Sequence, residues 1–146
     1  MKRKLLISAC LLGVGCRYDG GRVKKVDIDA LSERFELIPI CPEVMGGLPT
    51  PRTPSERIGD RVMMRDGTDV TANFLRGAEE SYMLAKALGV EIALLKERSP
   101  SCGKGKIYDG TFTGVLTDGD GVSAEYLTAR GITVYGESEI DKLLKM

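Results

Sequence analysis

Four cysteines, Cys10, Cys16, Cys41 and Cys102, carry the chemistry available to this chain, and no histidine accompanies them. Ser-His and Cys-His nucleophile pairs and mixed His/Cys zinc sites are thereby removed. Proton transfer falls to carboxylates, lysines, tyrosines, thiols or bound water. No Cys-x-x-Cys occurs, so zinc ribbons and thioredoxin-type motifs lack support. Three of the cysteines share one context. Cys10 follows Leu5-Leu6-Ile7-Ser8-Ala9, and Cys41 follows Leu37-Ile38-Pro39-Ile40 and precedes Pro42. Cys102 lies in Arg98-Ser99-Pro100-Ser101-Cys102-Gly103-Lys104, after Ile92-Ala93-Leu94-Leu95. Each short apolar run reads as a buried strand, and the adjoining proline or glycine turns the chain away from it.

The elements that must position these thiols alternate between strand and helix. A helix is expected from Asp27 or Asp29 to Phe35, ahead of the strand Leu37–Ile40. The span 41–55, with four prolines and the pair Gly46-Gly47, reads as a stiffened loop walling the cysteine site. A hairpin over Arg61–Val70 is expected to turn at Asp66-Gly67. Thr71 should cap a helix Ala72–Leu88 that Gly89 stops, with Phe74, Ala78, Tyr82, Ala85 and Leu88 facing inward. Beyond Cys102, residues 103–120 show no periodicity. Asp118-Gly119-Asp120-Gly121 reads as a turn, because an EF-hand would need glutamate where Ala129 stands. A helix Ser123–Ala129, a strand Ile132–Tyr135 and a helix Ser138–Lys145 complete the order.

The predicted class is α/β: a Rossmann-like three-layer sandwich with a mostly parallel, four- to five-stranded sheet and a small hairpin insertion. Parallel strands point their carboxyl ends one way, and ligands bind in the crevice beyond them. Cys10, Cys41 and Cys102 are therefore expected to converge. Converging thiolates suit a soft metal. Zinc in a structural site wants four ligands, and Cys16 would be the fourth. An iron–sulfur cluster on three cysteines leaves one iron open to act as a Lewis acid. Spacing favours neither. Gly13-x-Gly15 follows a strand, but Tyr18 stands where a dinucleotide fingerprint needs its third glycine.

Composition narrows the partners. Lys plus Arg and Asp plus Glu number 21 each, so the formal net charge is zero, against the basic excess that nucleic-acid binding would need. No apolar run approaches the roughly 20 residues of a membrane span, and the start lacks a signal-peptide core. A single domain over residues 1–146, placed in the cytoplasm, is expected. No feature of the sequence specifies an oligomeric state.

Ser8-Ala9-Cys10-Leu11-Leu12-Gly13, Arg17-Tyr18-Asp19-Gly20, Cys41-Pro42-Glu43, Gly46-Gly47-Leu48-Pro49-Thr50-Pro51-Arg52, Asp69-Val70-Thr71, Ser99-Pro100-Ser101-Cys102-Gly103 and Tyr108-Asp109-Gly110-Thr111-Phe112-Thr113-Gly114 together resemble the thiouracil-desulfidase-like family, from Leu6 nearly to the C-terminus. The resemblance implies an enzyme that removes sulfur from thiocarbonyl nucleobases or similar small thiolated compounds. It implies a [4Fe-4S] cluster on Cys10, Cys41 and Cys102, whose open iron takes the substrate sulfur while water attacks the adjacent carbon. Glu43 and Ser101 match the positions of its proton-transfer partners. Cys16 has no ligand role in the resemblance. The alternative is a non-catalytic zinc or iron–sulfur module with Cys16 as fourth ligand. Arg17, Asp19 and Arg52 lie in loops on the same edge, where they could grip a small substrate or pair with one another.

Overall fold

The structure is a computed structural model that describes residues 2–22 and 26–146. Four parallel strands make the central sheet: β1 (Arg3–Ser8), β2 (Phe35–Ile40), β5 (Ile92–Leu95) and β8 (Thr133–Gly136), in the order β2-β1-β5-β8. Strand direction sends alternate side chains to opposite faces. Leu6, Ala93, Leu95 and Val134 meet Ala85 of α3 (Thr71–Leu88) and Ala124 and Leu127 of α4 (Val122–Ala129). Leu5, Ile7, Ile92 and Leu94 meet Leu31 of α1 (Ile28–Arg34) and Leu143 of α5 (Ile140–Leu144). Burial on both faces is why Leu5–Ile7 of β1 and the whole of β5 are apolar. The three-layer α/β sandwich is as expected, with four strands. Its order reverses between β1 and β5, the switch point where open α/β sheets bind ligands.

Local signals set most element ends. The Asp27 carboxylate accepts the Ala30 N–H at 3.1 Å and so starts α1. Gly89, at φ 70°, stops α3 in the left-handed conformation that glycine tolerates best. The inward face of α3 holds for Phe74, Ala78 and Ala85, whereas Leu88, in the last turn, is exposed.

Three expectations needed correction. The hairpin pairs β3 (Ser55–Ile58) with β4 (Arg61–Met64), turning at Gly59-Asp60. The Asp66-Gly67 turn exists, but it brings back only a single bridge, Met63 to Asp69. Thr71 begins α3 rather than capping it, because its hydroxyl accepts the Val62 N–H at 2.9 Å and ties the helix to β4. Finally, the span after Cys102 contains a second hairpin, β6 (Lys106–Tyr108) with β7 (Leu116–Asp118). Strands of three residues are too short to show a period.

Candidate active site

Each thiol is placed by the element that follows a strand. Cys10 sits in a 3₁₀ turn, Ala9–Leu12, that continues β1 and closes at Gly13 with φ 89°. Cys41 is the N-cap residue of a one-turn helix, α2 (Pro42–Met45), started by Pro42. Pro42 suits the first helical position, where the missing N–H would have no partner. Cys102 lies further from its strand than Cys10 or Cys41 and depends on the turn before it. There the Ser99 hydroxyl accepts the N–H groups of Ser101 and Cys102, both at 3.1 Å. The carbonyls of Pro100 and Ser101 then accept the Val122 and Ser123 amides, both at 2.8 Å, which satisfies the amino end of α4 and anchors the turn. Gly103 is needed for space rather than for an unusual φ: a Cβ there would lie 2.7 Å from the Ser99 carbonyl oxygen.

Cys10, Cys16, Cys41 and Cys102 all line one cavity of about 430 Å³ at the carboxyl edge of the sheet. All four are free thiols. Cys41 Sγ lies 3.9 Å from the Cys16 carbonyl oxygen. Burial is the main cause that pushes the Cys10 thiol up to about 11, with Lys96 pulling the other way. Burial also pushes Cys102 up to about 12, against hydrogen bonds from Ser8 and Ser101. Cys16 is pushed up to about 12 by burial first and by neighbouring Cys41 second. Without a positive centre these side chains stay protonated at neutral pH, and a bound metal would have to displace their protons.

Beside the thiols stands a chain of polar contacts. Ser101 Oγ donates to Glu43 Oε2 at 3.0 Å and lies 3.6 Å from Cys102 Sγ. Arg52 Nε donates to Glu43 Oε1 at 3.1 Å, in an ion pair whose side chains are 3% and 15% exposed. Arg52 also donates to the carbonyls of Pro49 and Cys16 and to the Thr50 hydroxyl. Four of its five N–H donors are thus engaged, so Arg52 braces the loop and the carboxylate. Arg17 lines the cavity but pairs at 4.0 Å with Asp19. Asp19 itself accepts the Gly21 N–H at 2.8 Å, as a turn residue does. Cys10, Cys16, Arg17, Cys41, Glu43, Arg52, Ser101 and Cys102 are therefore brought together, while Asp19 serves its own turn.

Several cavity residues escaped the sequence reading. Lys96, next to Cys10, is paired with Glu137 at 2.8 Å, and its backbone N–H donates to the buried Ser8 hydroxyl at 2.9 Å. Ser99 had a readable signal, since Ser-x-Ser beside proline favours a side-chain-capped turn. Glu56 had none, because it meets the loop through contacts distant in sequence, and Phe112 was marked only as a member of the run Tyr108–Gly114, with no role.

A parallel α/β sheet with thiols and a carboxylate–serine pair at its carboxyl edge defines a cysteine-lined small-molecule site. The profile of the 2-thiouracil desulfurase family matches residues 5–139. This chain belongs to that family. It is 37% identical over 150 residues to Uncharacterized protein YbbK of Bacillus subtilis (strain 168), covering 96% of this chain and 99% of that one. It also resembles the solved structure of the [4Fe-4S]-dependent thiouracil desulfidase TudS, with a TM-score of 0.93 and 49% identity, over 97% of this chain and 95% of the other.

Proposed function

We propose that this chain is a cytoplasmic, single-domain desulfidase. It would convert the thiocarbonyl of a free nucleobase such as 2-thiouracil to a carbonyl, using a [4Fe-4S] cluster held by Cys10, Cys41 and Cys102. The observation that carries this reading is the shared cavity: three thiols from three separate strand ends, with the Glu43–Ser101 pair against Cys102. The donor set is all sulfur, which suits a cluster. The zinc alternative needs ligands converging on one ion, and among the described residues no three His, Cys, Asp or Glu side chains do so. Cys16 lies in the same cavity and remains outside the proposed ligand set.

With three protein ligands for four irons, such a cluster supplies a Lewis-acidic iron toward sulfur. The chain's own residues supply the proton chemistry. Glu43 takes one proton from water as the water oxygen bonds to the thiocarbonyl carbon, and that proton goes on to the sulfur. Glu43 then takes the second from the added hydroxyl as the carbonyl forms, and the carbon–sulfur bond breaks to release hydrosulfide. No electrons are gained or lost overall. Ser101, hydrogen-bonded to Glu43 and beside Cys102, passes a proton between carboxyl and departing sulfur. Arg52 holds Glu43 at this position.

The test is anaerobic reconstitution with iron and sulfide, followed by iron and sulfide counts per chain and uracil release from 2-thiouracil. The wild type should hold about four irons, and Cys102→Ala should lose both cluster and turnover. A Cys102→Ala chain with a full cluster and full activity overturns the assignment. Stoichiometric zinc with no iron in protein purified without oxygen would favour the structural module instead.

A further inference from the structure

Among the described residues, two that are not glycine have left-handed backbone, Arg98 at φ 68° and Phe112 at φ 58°. Both line the cavity. A bulky side chain in that region is a strained outlier, and it persists only where its surroundings hold it. For Phe112 the holding group is Glu56 of β3. Its carboxylate, in a side chain that leaves the residue 8% exposed, accepts the N–H of Gly110 at 2.9 Å and of Phe112 at 3.1 Å. Burying a carboxylate is costly, and these two amides offset the cost while fixing the loop.

The rest of the loop is equally fixed. Asp109 accepts the Thr111 N–H at 2.9 Å and its hydroxyl at 2.6 Å. At Gly110 a Cβ would meet Ile58 Cγ1 at 2.3 Å, so the loop packs directly onto β3. Yet the ring that this apparatus presents joins none of the apolar clusters found among the described residues. It is half-buried at the cavity wall, with the Arg65 guanidinium 5.6 Å from its centroid. A phenylalanine held under strain, outside the core and against a cavity, is placed for a ligand.

We propose that Phe112 is the stacking face for the flat ring of the substrate, held in position by Glu56, and that it selects ring thiocarbonyls over open-chain ones. The proposal rests on the desulfidase reading above. Every base offers a π face, so stacking rewards planarity without a hydrogen-bond code. An open-chain thioamide has little surface to stack.

The test uses the cluster-loaded enzyme and Phe112→Gly. Glycine is at ease at φ 58°, so the variant should keep its cluster absorbance and melt at or above the wild-type temperature. The KM for 2-thiouracil and the calorimetric Kd for uracil should each rise roughly tenfold or more, the usual worth of one base–aromatic stack. The Kd for thiourea should rise far less than that for uracil, and Phe112→Tyr should restore ring binding. Wild-type uracil affinity in Phe112→Gly overturns the proposal, as does an equal loss on thiourea and thiouracil. A melting temperature several degrees lower in both Phe112→Gly and Phe112→Asn also overturns it, because the ring would then be a packing element. Uracil binding is read without turnover, which separates the two readings. A wild type that binds uracil through Phe112 but releases no sulfur sinks the reaction alone. One that releases sulfur while Phe112→Gly binds normally sinks the stacking face alone.

Discussion

Glu43 has both carboxylate oxygens engaged, one by Arg52 at 3.1 Å and one by Ser101 at 3.0 Å. An amide in its place can keep its oxygen toward Arg52 and turn its NH₂ toward the serine oxygen. Glu43→Gln therefore preserves the shape and the contacts but cannot take a proton from water. The variant is expected to bind its cluster and its substrate as the wild type does and to turn over about a hundredfold more slowly, the typical worth of general acid–base catalysis. Single-turnover rates with unchanged iron content would check this. Equal rates would mean that the carboxylate only holds Arg52 and the Cys16 loop in place.

At the scale of elements, the short helix α2 carries Cys41 at its start and Glu43 in its first turn. A helix of four residues cannot hold itself together in water. Its support is α3, which approaches so closely that a Cβ on Gly77 would lie 1.9 Å from the Pro42 carbonyl oxygen. On the other side of the contact, a Cβ on Gly46 would lie 2.0 Å from the Asn73 carbonyl oxygen, and Asn73 Nδ2 donates to the Gly46 carbonyl at 3.0 Å. Gly77→Ala should therefore destabilise the protein by about 2 kcal/mol, the overpacking cost exceeding the gain of roughly 1 kcal/mol in helix propensity. A thermal melt should fall by roughly 5 °C. Because the displaced backbone carries Cys41 and Glu43, kcat should fall as well. A variant that is stable and fully active would show that α2 can move without consequence for the site.

For the whole molecule, exposed carboxylates at turns set the response to acid. Asp66 is held below its ordinary value of 3.8 chiefly by the Thr68 N–H, Asp69 and Asp109 by hydrogen bonds with Thr71 and Thr111, and Asp118 by Lys106. Each group has a folded pKa lower than its unfolded one. Its contribution is thus complete above pH 3.8 and is lost as pH falls through the lower folded values. The melting temperature of the cluster-free chain should be level with respect to these groups down to about pH 4 and decline below it. Added salt should weaken the share of Asp118 and, less, that of Asp69, since Lys106 and Arg61 hold them in exposed ion pairs. A melting temperature unchanged down to about pH 2 would show that these turns hold their shape without charge.

Much of the framework was legible because it is encoded locally. Mainly apolar runs of four or five residues marked the four strands of the sheet, Asp27 and Gly89 marked helix ends, and the proline beside Cys41 marked its turn. Parallel strand direction then put Cys10 and Cys41 on one edge, and the Ser99-capped turn beyond β5 set Cys102 beside them. Residue identity likewise singled out Glu43 and Ser101 through the family resemblance. The tertiary structure decided what depends on contacts between distant residues. It moved the hairpin to Ser55–Met64, and it turned Arg52 into the brace of Glu43. It also joined Glu56 to Phe112 across the cavity wall. A hydrogen bond between residues far apart in sequence leaves no periodicity and no local propensity. Such partners become visible only once the sheet has ordered its strands and the loops have packed against one another.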